Sequence, residues 1–166
     1  MISNQQIVED LLTHFGDNVK DFEEPYGLLT FTTDRQNIIN LLVHLHKHET
    51  FRFRFLTDLC GIHLPDNRGE EFGVIYHVHS LENNVRIRIK VFLSSDDIHI
   101  PTATTLYATA NWMERETYDF YGIIFDGHPK LKRILNIDEM DYFPMRKEYP
   151  LEDATRQDKI DALFGR

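Results

Sequence analysis

The chain has 166 residues, 42% of them hydrophobic, which supports one ordinary core and excludes both a disordered tail and a large multidomain enzyme. Its 27 acidic residues outnumber 18 basic ones, and the net charge of −9 argues against a general nucleic-acid binder, whose affinity comes from neutralising phosphates. The single cysteine, Cys60, excludes an internal disulfide framework and cannot supply the thiolates of an iron–sulfur cluster or a cysteine-rich zinc site.

Ser3 followed by Gln6 reads as a capping box, and Ile7, Val8, Leu11, Leu12 and Phe15 recur at helical spacing until Gly16 ends the pattern. A short amphipathic helix is expected there. After the turn residues Glu24 and Pro25, residues 26–32 are rich in β-formers, and Asp34 is placed to cap a second helix carrying Ile38, Leu41, Leu42 and Leu45 on its inner face. Three segments then alternate with a period of two, as half-buried strands of an antiparallel sheet do. In the first, Phe51, Phe53 and Phe55 alternate with Arg52 and Arg54; the second, residues 72–79, puts Val74, Tyr76 and Val78 on one side; the third sets Val85, Ile87, Ile89 and Val91 against Arg86, Arg88 and Lys90. Glu82-Asn83-Asn84 suits a hairpin turn and residues 61–70 a polar loop. One sheet face is expected to be apolar and the other strongly basic.

Pro101 and Thr102 open a further helical region, with a second capping box at Asn111 and Glu114 and a stop at Gly122. Beyond it the periodicity dissolves. Gly127-His128-Pro129 is a turn, residues 131–135 suit a short strand or helical turn, and Pro144 and Pro150 disfavour regular structure. Ile160, Leu163 and Phe164 form a late apolar trio in a charged end. The expected fold class is α/β of the α+β type, an antiparallel or mixed sheet packed with helices over residues 1–125, followed by an extended C-terminal arm over residues 126–166. Ordering such an arm costs about 1–2 kcal/mol per residue in backbone entropy. It is therefore expected to lie on its own domain or on a partner.

The candidate chemistry is weighed against plainer roles. His44, His46 and His48 sit on a predicted helix where only His44 and His48 share a face, and His77 and His79 share a face of a strand, but neither pair has a third ligand nearby in sequence. A solvated or packed role is preferred for both. Cys60, at the expected end of a strand, reads as a small buried apolar side chain rather than a nucleophile. Glycine-rich phosphate loops, nucleophile elbows and dinucleotide fingerprints are absent from the sequence. The basic stripe of Arg52, Arg54, Arg86, Arg88 and Lys90 is either a solvated face or a surface that steers an acidic partner or single-stranded RNA. On the last helix Arg115 and Asp119 are spaced to pair, Trp112, Glu116 and Asp119 share a second face, and Met113, Thr117 and Phe120 are expected to face the core. That cluster reads as an ion-pair network at the exit of the arm. No apolar run approaches the roughly 18 residues that span a bilayer, and residues 1–6 show no leader pattern. The expected place is the cytosol, or a membrane periphery reached through partners.

Glu114-Arg115-Glu116, two residues, Asp119-Phe120-Tyr121, six residues, His128, three residues, Lys132, one residue, Ile134-Leu135 follows a signature throughout. With Gly127-His128-Pro129, Leu131, Arg133, the run Pro144-Met145-Arg146-Lys147-Glu148-Tyr149-Pro150-Leu151 and the alternation Arg86-Ile87-Arg88-Ile89-Lys90, the chain resembles the C-subunit of respiratory complex I, the 30 kDa-type subunit family of NADH–quinone oxidoreductase. The resemblance implies a non-catalytic structural subunit of the peripheral arm, on the cytoplasmic side of the bacterial inner membrane, supporting electron transfer from NADH to quinone. It implies no cofactor, no metal and no catalytic residue of its own, a partner in the D-subunit that helps form the quinone site, and a membrane reached only through the complex. Glu114, Arg115, Glu116, Asp119, Gly122, His128, Pro129, Arg133, Arg146 and Lys147 carry over as an interface or scaffold set. The alternatives are the equivalent subunit of a membrane-bound hydrogenase or ferredoxin-dependent relative and, from a different class, a stand-alone metal-binding protein. Residues 152–166 are a charged extension that departs from the family's pattern.

Overall fold

The computed structural model describes residues 2–149, so Pro150 and the late apolar trio lie outside the described residues. Helix α1 (Asn4–Phe15) starts on the expected capping box: the Ser3 hydroxyl accepts the Gln6 N–H and the Gln6 side chain accepts the Ser3 N–H. Its cap residue Gly16 donates an N–H to the Leu12 carbonyl. An edge strand that the sequence did not reveal follows, β1 (Val19–Glu23), and then β2 (Leu29–Thr33). Helix α2 (Ile38–Lys47) begins later than a cap at Asp34 requires. Asp34 instead turns the chain, its carbonyl accepting the Asn37 N–H, and Asn37 fills the cap position without a side-chain bond.

The first alternating segment is not a strand. Phe51 and Phe53 are buried but Phe55 is 42% exposed, and between them Arg52 adopts a φ of +50°, which breaks the pleat. Strand β3 (Phe55–His63) starts only there and runs through Cys60 and Gly61 into the expected loop, because Leu59, Gly61 and His63 all turn toward the core. Strands β4 (Phe72–Ser80) and β5 (Val85–Leu93) form the expected hairpin. Helix α3 (Ala110–Tyr121) is flanked by two short strands, β6 (His99–Pro101) and β7 (Ile124–Asp126), which pair in parallel. Pro101 and Thr102 therefore belong to this clasp rather than to a helix.

The five-stranded sheet has the order β1-β2-β5-β4-β3 and is mixed: β2 and β5 run parallel, and every other pair is antiparallel. On one face Leu56, Val78, Ile87 and Leu29, and likewise Leu59, Tyr76, Ile89 and Phe31, stand in register, all buried. One cluster joins them to Ile7 and Leu11 of α1 and to Ile38, Leu41, Leu42 and Leu45 of α2. Helix α3 covers the β3 end of the same face. A Cβ added to Gly61 would lie 2.6 Å from the Tyr121 ring and 2.9 Å from Thr117, so glycine is required where helix and strand touch.

The opposite face is less basic than expected. In register there are Asp58, His77, Arg88 and Thr30, then Cys60, Ile75, Lys90 and Thr32. Lys90 pairs with Glu23 and Arg88 donates to His77, while Arg52 pairs with Glu82 off the sheet and Arg54 approaches the same carboxylate. Cys60 is exposed in mid-strand rather than buried at a strand end. Partial desolvation, and then Asp58, raise its thiol pKa, which disfavours the thiolate.

Candidate interface site

The motif residues converge on α3 and on the irregular segment, residues 127–149, that folds back over it. The capping box expected at Asn111 does not form. Thr109 occupies the cap position, and Glu114 turns into the core, where it is fully buried. Its Oε1 accepts the Ala103 N–H at 2.7 Å and its Oε2 the Thr102 hydroxyl at 2.5 Å. Burial outweighs these two bonds and pushes its pKa up to about 7. The same burial, with the charge of Glu114 adding to it, pushes the Tyr76 hydroxyl up, and that hydroxyl has no hydrogen-bond partner among the described residues.

Asp119, little more than one turn further on, is equally buried but richly satisfied. Its Oδ2 accepts the backbone N–H groups of Ile134, Leu135 and Asn136 at 2.9, 2.8 and 3.0 Å. Oδ1 takes the Arg133 guanidinium at 2.9 Å and the Asn136 amide at 3.0 Å. Burial works to raise this carboxyl, but the bonds from Asn136, Leu135 and Ile134 prevail and hold it well below the usual carboxylate range. Arg133 extends the knot by donating to the carbonyls of Asp119, Met140 and Tyr142. The partner expected for Asp119, Arg115, is engaged elsewhere: it donates to the carbonyls of Lys132 and Arg133 and lies 4.9 Å from the centre of the Trp112 ring.

A second clamp lies at the end of the helix. Gly122 closes α3 in the left-handed region at φ +78°, and a Cβ there would stand 2.6 Å from both the Arg146 guanidinium and the Phe143 ring. Arg146 donates to the Tyr121 carbonyl at 2.8 Å, and its guanidinium lies 4.9 and 4.7 Å from the centres of the Phe72 and Phe143 rings. The Lys147 backbone N–H donates to Nδ1 of His63, which stacks on Phe72. His128 accepts the Lys130 N–H at Nδ1, so its other nitrogen carries the proton toward the Asn111 carbonyl 3.1 Å away. It ties the turn to the start of the helix.

Six of the ten singled-out residues thus hold residues 127–149 against α3, namely Arg115, Asp119, Gly122, His128, Arg133 and Arg146, while a seventh, Lys147, ties the segment to His63 at the end of β3. Glu114 belongs to the core, while Glu116 and Pro129 stand exposed. On the outer helix surface Trp112 is exposed with Glu116, whereas Asp119 is buried; Thr117 is the fully inward one of the three expected core residues. Sequence reasoning missed Asn136, His63, Phe72 and Phe143, which have no motif of their own. The segment so held presents Leu135, Ile137, Tyr142, Met145 and Tyr149 to solvent, the first two 63% and 66% exposed.

The model of the family described as "Respiratory-chain NADH dehydrogenase, 30 Kd subunit" matches residues 31–155, a span that contains α3 and the whole knot. The chain belongs to that family. It is 42% identical over 125 residues to the C-subunit of NADH-quinone oxidoreductase from Streptomyces coelicolor, an alignment covering 75% of this chain and 50% of that protein. It therefore spans about half the length of that relative. A C-subunit of the same oxidoreductase from Rhizobium etli, the second of that organism by its name, is 39% identical over 156 residues, 93% of this chain and 80% of the relative. Among solved structures, the trypsin-resistant fragment of Nqo5 superposes with a TM-score of 0.66 at 30% identity, covering 76% of this chain and 98% of the fragment. Among the described residues no helix is long and apolar enough to cross a membrane.

Proposed function

We propose that this chain is a structural subunit of a proton-translocating NADH–quinone oxidoreductase, bracing the electron-carrying subunits of the peripheral arm on the cytoplasmic side of the membrane. The family match and the C-subunit relatives support the assembly. The observation that carries the structural role is the arm itself: two arginines and a buried aspartate fix residues 127–149 on α3 while five large apolar side chains face outward. A segment held that way loses little further entropy on docking, so its exposed apolar area converts into affinity. In this reading Asp119, Arg133, Arg146 and Gly122 shape the surface, the exposed side chains touch the neighbour, and the D-subunit of the complex is the partner. Glu116 and Trp112, exposed on the adjoining face of α3, extend the same surface.

The test is a tagged pull-down from gently solubilised membranes, comparing the native chain with the double variant Leu135→Ser, Ile137→Ser. Both side chains are exposed, so the variant retains its melting temperature. The native chain is expected to bring down an iron-containing, quinone-reducing assembly with NADH-binding subunits, and the variant to recover about tenfold less of it. Recovery with hydrogenase or ferredoxin-linked subunits would move the chain to the alternative assembly. Recovery of the native chain alone, under conditions that preserve such complexes, would contradict the proposal.

A further inference from the structure

The distal ends of α1 and α2 bring together a side-chain cluster that the arm does not use. Asp10 and His14 stand one turn apart on α1, and His44 lies one turn before His48, the residue that caps the end of α2. Nε2 of His44 lies 2.6 Å from Asp10 Oδ2, and Nδ1 of His14 lies 3.3 Å from Oδ1. The His14 and His44 rings are 4.4 Å apart, and the Phe15 ring meets His44 edge-on at 5.5 Å. Asp10 and His44 are largely shielded, with side chains 16% and 20% exposed, whereas His14 at 51% leaves the cluster open on one side.

We propose that Asp10, His14 and His44 form a binding site for a divalent transition-metal ion, zinc by preference, that clasps α1 to α2. One ligand atom from each residue lies within 4.8 Å of the other two. Zinc bonds to imidazole nitrogen and carboxylate oxygen are about 2.0–2.2 Å long, so side-chain rotations alone bring the three atoms onto one ion. Two imidazoles and one carboxylate form a borderline donor set that suits zinc, cobalt or nickel better than magnesium or calcium. In the structure His14 Nδ1 also sits 2.9 Å from the Asp10 carbonyl, a bond it exchanges for the ion. The side left open by His14 admits a water molecule as fourth ligand.

His48 takes a different part. Its Nδ1 accepts the N–H groups of Thr50 and Phe51, which places the ring proton on Nε2, 3.4 Å from Asp10 Oδ1. With its free lone pair used by the backbone and its ring stacked on Phe51 at 3.8 Å, His48 orients the carboxylate rather than binding the ion. This is why the His44 and His48 pair looks incomplete in the sequence: the partners of His44 come from α1, thirty residues or more away. Because α1 precedes the matched residues 31–155 and α2 lies within them, the ion clasps the family's domain to the segment in front of it.

The test uses the untagged full chain after chelator treatment and dialysis. Calorimetric titration with zinc chloride is expected to show one ion bound per chain, and cobalt(II) to give the visible absorption of a four- or five-coordinate nitrogen–oxygen site. His14→Ala and His44→Ala should each weaken zinc binding at least a hundredfold, His48→Ala about tenfold as for an orienting partner, and His77→Ala and His79→Ala not at all. If His44→Ala fails to fold, His14→Ala decides, because its ring is half exposed. Absence of one-to-one binding by the native chain, or binding that survives His14→Ala unchanged, would overturn the site.

Discussion

The two buried carboxylates of α3 have opposite fates. Glu114 receives two hydrogen bonds and is pushed up to about 7, whereas Asp119 receives five side-chain and backbone donors and stays ionised far into acid. Both side chains are shut off from solvent, but Glu114 lies deeper in the core than Asp119, so depth and the number of donors together decide which charge the fold tolerates. The end of the helix that holds the arm therefore carries a fixed negative charge, while the end that faces the core carries a carboxyl that titrates near neutrality. Specific structure at Asp119 comes from a knot that only a charge can tie, and Glu114 is accommodated chiefly as a neutral acid.

The largest effect that tests this contrast is Asp119→Ala, which leaves Arg133 and three backbone N–H groups without their acceptor. Loss of one partner of a buried charged network costs about 3–5 kcal/mol, measurable as a fall in the urea midpoint, and limited proteolysis should now cut within residues 130–142. Unchanged stability with an intact arm would show that the knot is decorative.

Glu114→Gln comes next and depends on pH. Because its folded pKa of about 7 lies above the ordinary 4.5, the stability associated with its proton is complete below about 4.5 and is lost as pH rises through 7. The glutamine variant, which keeps an acceptor for Ala103 and whose amide can donate to the Thr102 oxygen once that hydroxyl rotates, should match the native chain below about pH 4 and exceed it by roughly 3 kcal/mol at pH 9. Asp119 has the reverse sign, contributing stability above the normal carboxylate range and losing it only as pH falls toward its depressed pKa. A Glu114→Gln difference independent of pH would contradict the assignment.

Gly122→Ala is the smallest of the three. Its left-handed backbone alone costs a non-glycine residue about 1–3 kcal/mol, and the added methyl meets Arg146 and Phe143. The expected outcome is a modest drop in stability together with loosening of residues 143–149, seen as faster amide exchange at Lys147, whose N–H is bonded to His63.

Local signals carried much of this fold. The capping box of α1, the hairpin of β4 and β5 and the stop at Gly122 were legible because each depends on neighbours in sequence. Where the decisive partner is distant, the reading failed. β1 is mostly exposed and charged, so nothing in Val19-Lys20-Asp21-Phe22-Glu23 announces a strand; pairing with β2 makes it one. The alternation at Phe51 and Phe53 reflects burial in an irregular connection, and Asp58, Cys60 and Gly61 disguised the true β3 by looking like the start of a loop. At the site, the spacing of Arg115 and Asp119 suggested a helical pair, but Arg133 outcompeted it because it arrives with three backbone donors directly after it. The family motif marked the residues of the knot without revealing which of them meet.

Amide hydrogen exchange on the isolated full chain tests most directly whether the arm is already held on α3 before any partner arrives. Slow exchange at Ile134, Leu135 and Asn136, lost in Asp119→Ala, is the predicted result; exchange of these amides at the rate of an unstructured peptide in the native chain would contradict it.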